Sequence, residues 1–416
     1  MDNGQSRMIF DKILNRLIDL ELIKRDEIQR IDAMHMIADI AIPTVVALVK
    51  KGVREILKPL KGQKPKVYED LIKKIDADEY AREKVNHADE GRLDIEKRKK
   101  KLVKVVTEAR VVLKELEGVA VNRELRKRME MLRRILCENV NEFGGKIQER
   151  EYKDKPKDLL VSPIDEDARY GAKSDTKRFM GYKANVTESV ENHFITNVEV
   201  MRGNKREAET AVQLVIEQKR NGLVPQKLVG DAGYSDGINR KMLKDNGTIM
   251  VAPLRQVNAR AQAVYPKSMF TINEETQTLK CPQGVETTSR YRDVRHGLKQ
   301  FHFPIGKCRV CKVQKECTNE KDGRRVVGIS MFNKELREAE VYNTTDEFKK
   351  DMKLRPPIEG KLSELTRYHG LRRARYRGLV KVQLQSLFTA AAVNIKRWIK
   401  LILAGLTRQT DAIVAF

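Results

Sequence analysis

The chain has 416 residues, too many for one small core, and this length predicts two or three domains. Lys and Arg number 83 against 59 acidic residues, and the net charge of +24 predicts attraction to a polyanion such as nucleic acid or an acidic membrane face. No apolar run approaches the roughly 20 residues that cross a bilayer, and from the polar first residues we expect no signal peptide. Five cysteines, four of them late in the chain, are typical of a metal site in a reducing compartment, so we expect a cytoplasmic protein without a membrane partner.

Residues 1–40 predict one helix followed by the first strand of a core. Apolar side chains recur at helical spacing between positions 8 and 23. Residues 28–34 (IQRIDAM) have the composition of a short strand, and this strand contains Asp32.

Residues 41–160 predict a helical insert. They contain long runs of Lys, Arg, Glu and Leu with few glycines, and an apolar stripe across 102–113 keeps helical spacing. The basic run at 97–101 favours a solvated helix face over a phosphate contact. Cys137 stands alone in this region and is interpreted as a core residue.

Residues 161–258 predict an α/β core in which helices cover a sheet. The preceding stretch, 151–175, is interpreted as a loop because of its prolines and scattered charge. The expected elements of the core are strands at 179–189 and 193–200, a helix at 207–220, a strand that ends at Asp231, a helix through 238–243 and a strand at 248–253.

The carboxylate of Asp231 follows an apolar strand that ends in LVG. Gly230 allows a close turn, and Ser235 or Asp236 is placed to cap the next helix. A turn aspartate is one interpretation of Asp231. A ligand-binding residue is the other, because ligands bind beyond the carboxyl ends of the strands in such sheets.

Residues 259–345 predict a small cysteine-rich insert. Four cysteines lie in the segments CPQG and GKCRVCKVQKEC: Cys281, Cys308, Cys311 and Cys317. A CxxC pair with two further cysteines can present four thiolates to a structural Zn²⁺ ion, and such a shell leaves no open position for catalysis. Unrelated reduced cysteines are the alternative.

Residues 346–416 predict C-terminal core helices that include a basic segment, TRYHGLRRARYRGLVK. The cations predicted to bind DNA in this segment are Arg367, Arg372, Arg373, Arg375, Arg377 and Lys381. Arginine binds phosphates bidentately, and the interleaved tyrosines can stack on bases. A solvated basic helix is the alternative.

Three acidic residues are candidates for a common site. Glu359 follows Pro356 and Pro357, so it should fall in the first turn of a helix. Taken singly, Asp32 is explained as a strand-end cap, Asp231 as a turn residue and Glu359 as compensation of a helix dipole. Taken together, three carboxylates can hold two Mg²⁺ ions for an in-line phosphoryl displacement, and Mn²⁺ is expected to substitute.

These motifs together resemble bacterial insertion-sequence DDE transposases with an RNase H-like core. The resemblance rests on IQRIDAMHM, the GYK strand, GDAGYSDG, the CPQG…CxxC…C insert and RPPIEGKLSELTRYHGLRRARYRGL. It implies an RNase H-like mixed sheet flanked by helices, with Asp32 on the first strand, Asp231 on the fourth and Glu359 on a later helix. It also implies cut-and-paste transposition of double-stranded DNA by a bacterial, nucleoid-associated enzyme that is a homodimer when two element ends are paired.

Two features depart from the pattern of this family. Members usually carry an N-terminal helical domain before the segment that starts here, and we expect that it is lacking. Thr366 occupies the position where the family often has Lys, whereas Arg355 matches a family arginine and is expected to contact DNA.

The sequence leaves two alternative functions open, and it does not decide whether two further carboxylates belong to the site. The chain could be an inactive DNA-binding remnant that inhibits transposition, or a plain Mg²⁺-dependent nuclease of similar fold. Glu188 and Asp167 could each add a carboxylate to the site.

Overall fold

The computed structural model describes residues 4–40, 44–81, 95–172, 176–255, 265–273, 275–288, 290–293 and 297–414. These residues form a six-stranded mixed sheet, a mainly helical unit with one β-hairpin, and two small antiparallel sheets in the cysteine-rich region. The chain is therefore an α/β protein, as its sequence predicts. No helix in this described part of the chain is both long and apolar enough to span a bilayer.

The N-terminal helix and the first strand lie where the sequence predicts them. Helix α1 (Gln5–Asp19) buries Phe10, Leu14 and Leu17 in the core. Strand β1 (Gln29–Ile37) is longer than the predicted 28–34, because every one of its residues pairs with a later antiparallel strand. Asp32 thus lies inside a strand, and the interpretation of this residue as a strand-end cap is wrong.

The predicted helical insert forms a unit with its own hydrophobic core. Its elements are α2 (Val45–Gln63), α3 (Pro65–Ile72), α4 (Ala77–Ala81), α5 (Ile95–Glu115), α6 (Arg123–Asn139) and the hairpin β2 (Val140–Phe143) and β3 (Lys146–Glu149). The predicted apolar stripe is buried at Leu102, Val105 and Ala109. Cys137 is exposed, so the prediction of a core cysteine is wrong: α6 turns Leu132 and Ile135 inward instead.

The predicted core, residues 161–258, supplies the other five strands of the main sheet. Its elements are β4 (Arg169–Ala172), β5 (Arg178–Ser189), β6 (Ile195–Arg202), α7 (Ala208–Gln218), β7 (Lys227–Val229), α8 (Gly237–Asp245) and β8 (Ile249–Val251). The strand order is β4-β5-β1-β7-β8, with β6 also paired to β5. Strands β1, β7 and β8 run parallel, and the remaining pairs are antiparallel.

The sequence analysis missed strand β4. Its residues fall within the stretch interpreted as a loop, but they pair with the first residues of β5, from Arg169 opposite Gly181 to Ala172 opposite Arg178. Because β4 precedes β5 and β6 in the chain, the strand that leads to Asp231 is the fifth of the main sheet and not the fourth.

Helices cover both faces of the sheet. One face packs with α1 and the C-terminal helix through residues such as Tyr182 and Val198, and the other packs with α7 and α8 through Ile31, Leu228 and Met250. Strand β5 is therefore buried on both sides from Met180 onward, and the alternation expected of a half-exposed strand is absent.

The cysteine-rich region is more regular than its sequence suggests. Antiparallel strands β9 (Thr271–Asn273), β10 (Thr278–Lys280) and β11 (Glu286–Thr287) form one sheet, and β12 (Arg290–Asp293), β13 (Leu298–His302) and β14 (Val326–Ser330) form another. The short helices α9 (Ile305–Arg309) and α10 (Gln314–Cys317) lie between β13 and β14. A small core that includes Phe270, Phe301 and Phe303 holds the region together.

Four helices form the C-terminal part of the chain: α11 (Asn333–Tyr342), α12 (Asp346–Met352), α13 (Pro357–Arg367) and α14 (Leu379–Val414). Helix α14 buries Val382, Leu387 and Ala390 in the main core, which confirms that this apolar stripe is packing. The basic segment between α13 and α14 is a loop.

Candidate active site

Asp32 lies in the middle of β1, on the side that faces α13. Its carboxylate is 14% exposed and accepts hydrogen bonds from the backbone N–H of Ala33 at 2.8 Å and from Arg355 Nη2 at 3.1 Å. The pKa of Asp32 is raised to about 6, mainly by burial and also by the nearby carboxylates of Asp231 and Glu207, while the Ala33 amide and Arg355 oppose this rise. The sheet therefore holds the Asp32 carboxylate where a cation in addition to Arg355 would stabilise its negative charge.

Asp231 lies two residues beyond Val229, the last residue of β7, close to where the sequence predicts the strand to end. Strand β7 runs parallel to β1 with Arg30 opposite Val229, and continuing this register brings Asp231 level with Asp32. Its carboxylate accepts a hydrogen bond from the Gly233 N–H at 2.6 Å, which caps a single helical turn. The two acids therefore lie level with each other, Asp32 on β1 and Asp231 just after the neighbouring strand β7.

Gly230 is closely packed between β7 and Asp231. A Cβ atom at this position would lie 2.9 Å from the Met250 Cε and 3.0 Å from the Ile31 Cγ2. A larger residue would require the Met250 and Ile31 side chains to shift, so the glycine allows them to pack closely against the backbone beside Asp231.

Glu359 occupies the first turn of α13, where the preceding prolines place it. Its side chain is 68% exposed and lies 3.4 Å from Arg355 Nη1. Ile358 and Leu365 are fully buried and hold the inner face of α13 against the sheet. The helix thus carries Glu359 to the same side of the sheet as Asp32.

Asp32, Asp231 and Glu359 line one cavity of about 570 Å³. Arg355 also lines it and donates to both Asp32 and Glu359, so its guanidinium lies between two of the acids. Across the described ranges, no three His, Cys, Asp or Glu side chains are arranged as a metal-binding group. The three predicted acids therefore line the same cavity as Arg355, which contacts two of them.

The same cavity contains residues that the sequence analysis missed. Glu207, just before α7, lines it and forms an ion pair with Lys183 at 3.1 Å, and His35 of β1 lines it as well. No local sequence pattern predicts that Glu207 or His35 belongs to the site, because the packing of strands and helices brings each of them to the cavity. Thr366 and Arg367 also line the cavity, so a cation stands one residue beyond the position of the family lysine.

The predicted DNA-binding cations near this cavity lie on the loop between α13 and α14 and on the adjoining ends of the two helices. Arg367 and Arg372 line the cavity itself, while Arg373, Arg375, Arg377 and Lys381 are exposed on the adjacent surface. Residues 368–378 between α13 and α14 are not helical, and Gly370 and Gly378 in this loop have positive φ values of 68° and 88°. The alternative of a solvated basic helix is therefore wrong for the segment 368–378.

The basic loop is anchored to the end of β1. The Ile37 N–H donates to the Arg372 carbonyl at 2.9 Å, and the Ala374 N–H donates to the Ile37 carbonyl at 2.9 Å. Backbone pairing thus fixes the arginines beside the strand that carries Asp32. Arg377 also donates to the Asp39 carboxylate at 3.0 Å.

Glu188 and Asp167, the two further candidates, lie outside the cavity. Glu188 is 1% exposed and forms an ion pair with Arg30 at 2.6 Å, on the strand that carries Asp32. Asp167 pairs with Arg202 at 2.7 Å. Both carboxylates are engaged in structural ion pairs.

The four clustered cysteines line one small cavity of about 40 Å³. The Gly284 N–H donates to the Cys281 carbonyl at 2.9 Å, and the Cys311 N–H donates to the Cys308 carbonyl at 3.2 Å, so two tight turns present the thiols. Burial raises the pKa of Cys317, and the neighbouring cysteines add to this shift while Arg325 opposes it. As placed, the thiols do not form a metal-binding group.

The C-terminal part of the chain is similar to a known protein family. Residues 280–399 match the family model of the transposase DDE domain. The match supports a DDE transposase, an enzyme class that acts on DNA and generally uses divalent metals, and it does not favour an inactive remnant. No curated protein and no solved structure gave a significant match.

The transposase match covers part of the candidate site. It includes Glu359, Arg355, the basic loop and the four clustered cysteines. Asp32 and Asp231 lie before it, and only the fold brings them to Glu359.

Proposed function

We propose that the protein is a DDE transposase that cleaves and joins DNA, with Asp32, Asp231 and Glu359 as its metal-binding acids. The observation that carries this proposal is that three carboxylates from distant parts of the chain line one cavity. The cavity opens beyond parallel strands, the usual position of ligand sites in α/β sheets.

The donor set fits Mg²⁺, which prefers carboxylate oxygens and retains several waters. Burial and the Asp231 and Glu207 carboxylates raise the pKa of Asp32 despite its ion pair with Arg355, so a bound cation would further stabilise the charged form. The three acids would hold two Mg²⁺ or Mn²⁺ ions. When bound, such ions polarise the phosphodiester and lower the pKa of the attacking hydroxyl group.

Arg355 and the basic loop would position the DNA. Arg355 restrains the carboxylates of Asp32 and Glu359 and presents its remaining donor capacity to the cavity. Arg367 and Arg372, at the wall of the same cavity, would bind the phosphates next to the reacting one. The exposed cations of the loop would bind phosphates farther along the duplex, which positions the DNA without reading its sequence.

The reaction would have two steps at one site. Attack by water on the phosphorus at the element end forms a new O–P bond, breaks the bond to the 3′ oxygen and leaves a 3′-OH and a 5′ phosphate. The 3′-OH then attacks a target phosphodiester, joins the element to it and displaces the target's own 3′ oxygen as a hydroxyl. The paired element ends would be held by a homodimer.

The test is cleavage of double-stranded DNA that carries the terminal repeat of the element encoding this chain. We expect nicked and joined products with Mg²⁺ or Mn²⁺ and none with EDTA, measured on denaturing gels. Cleavage without joined products would indicate a plain nuclease. Binding without cleavage in either metal would contradict the proposed enzyme.

We further propose that Cys281, Cys308, Cys311 and Cys317 hold a structural Zn²⁺ ion after small adjustments of their side chains. The support is the shared cavity and the four sulfur donors, the ligand set of structural zinc. We expect about one zinc per purified chain by elemental analysis, and loss of this zinc in the double variant Cys308→Ser/Cys311→Ser. The exposed Cys137→Ser variant is the matched control and should keep the metal. An equal metal content in all three proteins would contradict the site.

A further inference from the structure

A second and larger cavity lies between the helical unit and the edge strand β4. Its volume is about 1020 Å³, at the upper end of the range for ligand-binding pockets. Helices α2 and α5 form one wall, and the β2–β3 hairpin, the segment 152–161 and β4 form the other. We call this cavity the insert groove.

Two tyrosines line the insert groove with their rings accessible. Tyr152 is 65% exposed and Tyr170 is 37% exposed. The guanidinium of Arg178 stands 5.1 Å from the centroid of the Tyr152 ring. A cation on an accessible aromatic ring is a typical component of surfaces on which nucleic acid bases stack.

The charged side chains of the insert groove are mainly cationic. They are Arg98, Lys99, Lys146 and Lys155, together with the acids Glu96 and Glu149. Lys99 pairs with Glu96 and Lys155 pairs with Glu149, each at 2.9 Å. Cations outnumber acids, so the groove is complementary to an anionic occupant.

The insert groove and the cavity of the three acids are both lined by residues of β4. Tyr170 lines the groove and Ala172 lines the cavity of the three acids. Residues two apart on a strand share one face and lie about 7 Å from each other. Ala172 also pairs across the sheet with Arg178, whose guanidinium contacts Tyr152.

We infer that the insert groove receives a single strand of DNA that extends from the active site, with bases stacked on Tyr152 and Tyr170. This inference rests on the proposed function, since it takes DNA as the occupant. A single strand fits better than a duplex, because unpaired bases alone expose the faces that aromatic rings can stack on. A duplex would instead be bound through its phosphates by the exposed basic loop.

The test compares two DNA probes in EDTA, where no cleavage occurs: a blunt duplex, and the same duplex with a short oligothymidine tail. We expect the full-length protein to bind the tailed probe about 10-fold more tightly, measured by fluorescence anisotropy. Tyr152→Ala should remove most of this preference and leave the affinity for the blunt duplex unchanged. Tyr152→Phe should retain the preference, because phenylalanine also stacks.

The matched control is Tyr291→Ala, which removes an equally exposed tyrosine, 66% accessible, from strand β12. This variant should keep the preference for the tailed probe. Photocrosslinking of a tail that carries 5-iodouracil should attach it to the segment that contains Tyr152.

Three results separate this inference from the proposed function. If the protein cleaves its terminal repeat but does not prefer the tailed probe, single-strand binding in the groove is contradicted and the proposed transposase function is not. A preference that survives in Tyr152→Ala, with crosslinks elsewhere, also overturns the groove. If the preference for the tailed probe depends on Tyr152 but the protein shows no metal-dependent cleavage, single-strand binding in the groove is supported and the proposed enzymatic function is contradicted.

Discussion

Replacing Asp231 by Asn is expected to lower the rate of Mg²⁺-dependent DNA cleavage about 1000-fold, with little change in the affinity for DNA. The amide removes one negative charge and one metal ligand from the cavity, and several kcal/mol of transition-state stabilisation depend on bound metal. The same loss is expected for Asp32→Asn and Glu359→Gln. Single-turnover cleavage of the terminal repeat measures the effect.

The substitution at Asp231 preserves the local fold. The Asn oxygen can still accept the hydrogen bond from the Gly233 N–H, which the Asp231 carboxylate accepts at 2.6 Å. Asp236→Asn is the matched control, because Asp236 caps α8 from outside the cavity and Asn is an equally good cap. It should cleave at the normal rate. Full activity of Asp231→Asn would remove this residue from the active site.

Truncating Glu188 to Ala is expected to reduce the free energy of unfolding by about 3–5 kcal/mol, because it leaves the charge of Arg30 buried and unpaired. Both side chains are 1% exposed, and their ion pair measures 2.6 Å. Arg30 also donates to the Leu354 carbonyl at 2.9 Å, next to Arg355. The pair therefore ties β1 to the segment that enters α13. Urea denaturation of the full chain measures the loss.

An exposed ion pair provides the comparison for Glu188. Lys24 and Glu191 lie 2.8 Å apart with side chains 58% and 48% exposed. Glu191→Ala should cost less than about 1 kcal/mol, because solvent screens such pairs. The double variant Arg30→Met/Glu188→Leu should recover much of the stability lost in Glu188→Ala, since it removes both charges. Equal losses for Glu188→Ala and Glu191→Ala would contradict the buried-pair argument.

The local features of the candidate site could be predicted from neighbouring residues. An apolar strand that ends in glycine places Asp231 at a strand end, and two prolines place Glu359 in a first helical turn. Both depend on backbone preferences that act over a few residues. The helical stripe of α5 was predictable for the same reason, because periodicity is a property of one segment.

Features that depend on pairing over long distances could not be predicted in the same way. The stretch that contains β4 has the prolines and charge of a loop, and it becomes a strand only because β5 offers it unpaired backbone groups. The full length of β1 likewise depends on β5, about 150 residues later in the chain. The core position assigned to Cys137 was wrong because the packing of α6 decides which of its faces is buried.

By itself, the sequence determined the α/β class and the cationic character of the chain, because composition and short-range periodicity express these properties directly, and its local motifs indicated the three candidate acids. Only the tertiary structure decided that Arg355 stands between Asp32 and Glu359, that backbone pairing with Ile37 fixes the basic loop, and that β4 lines both the insert groove and the cavity of the three acids. The physical reason is that each of these arrangements joins groups far apart in the chain. Such groups meet only when burial of a shared core and completion of backbone hydrogen bonds bring their strands and helices together.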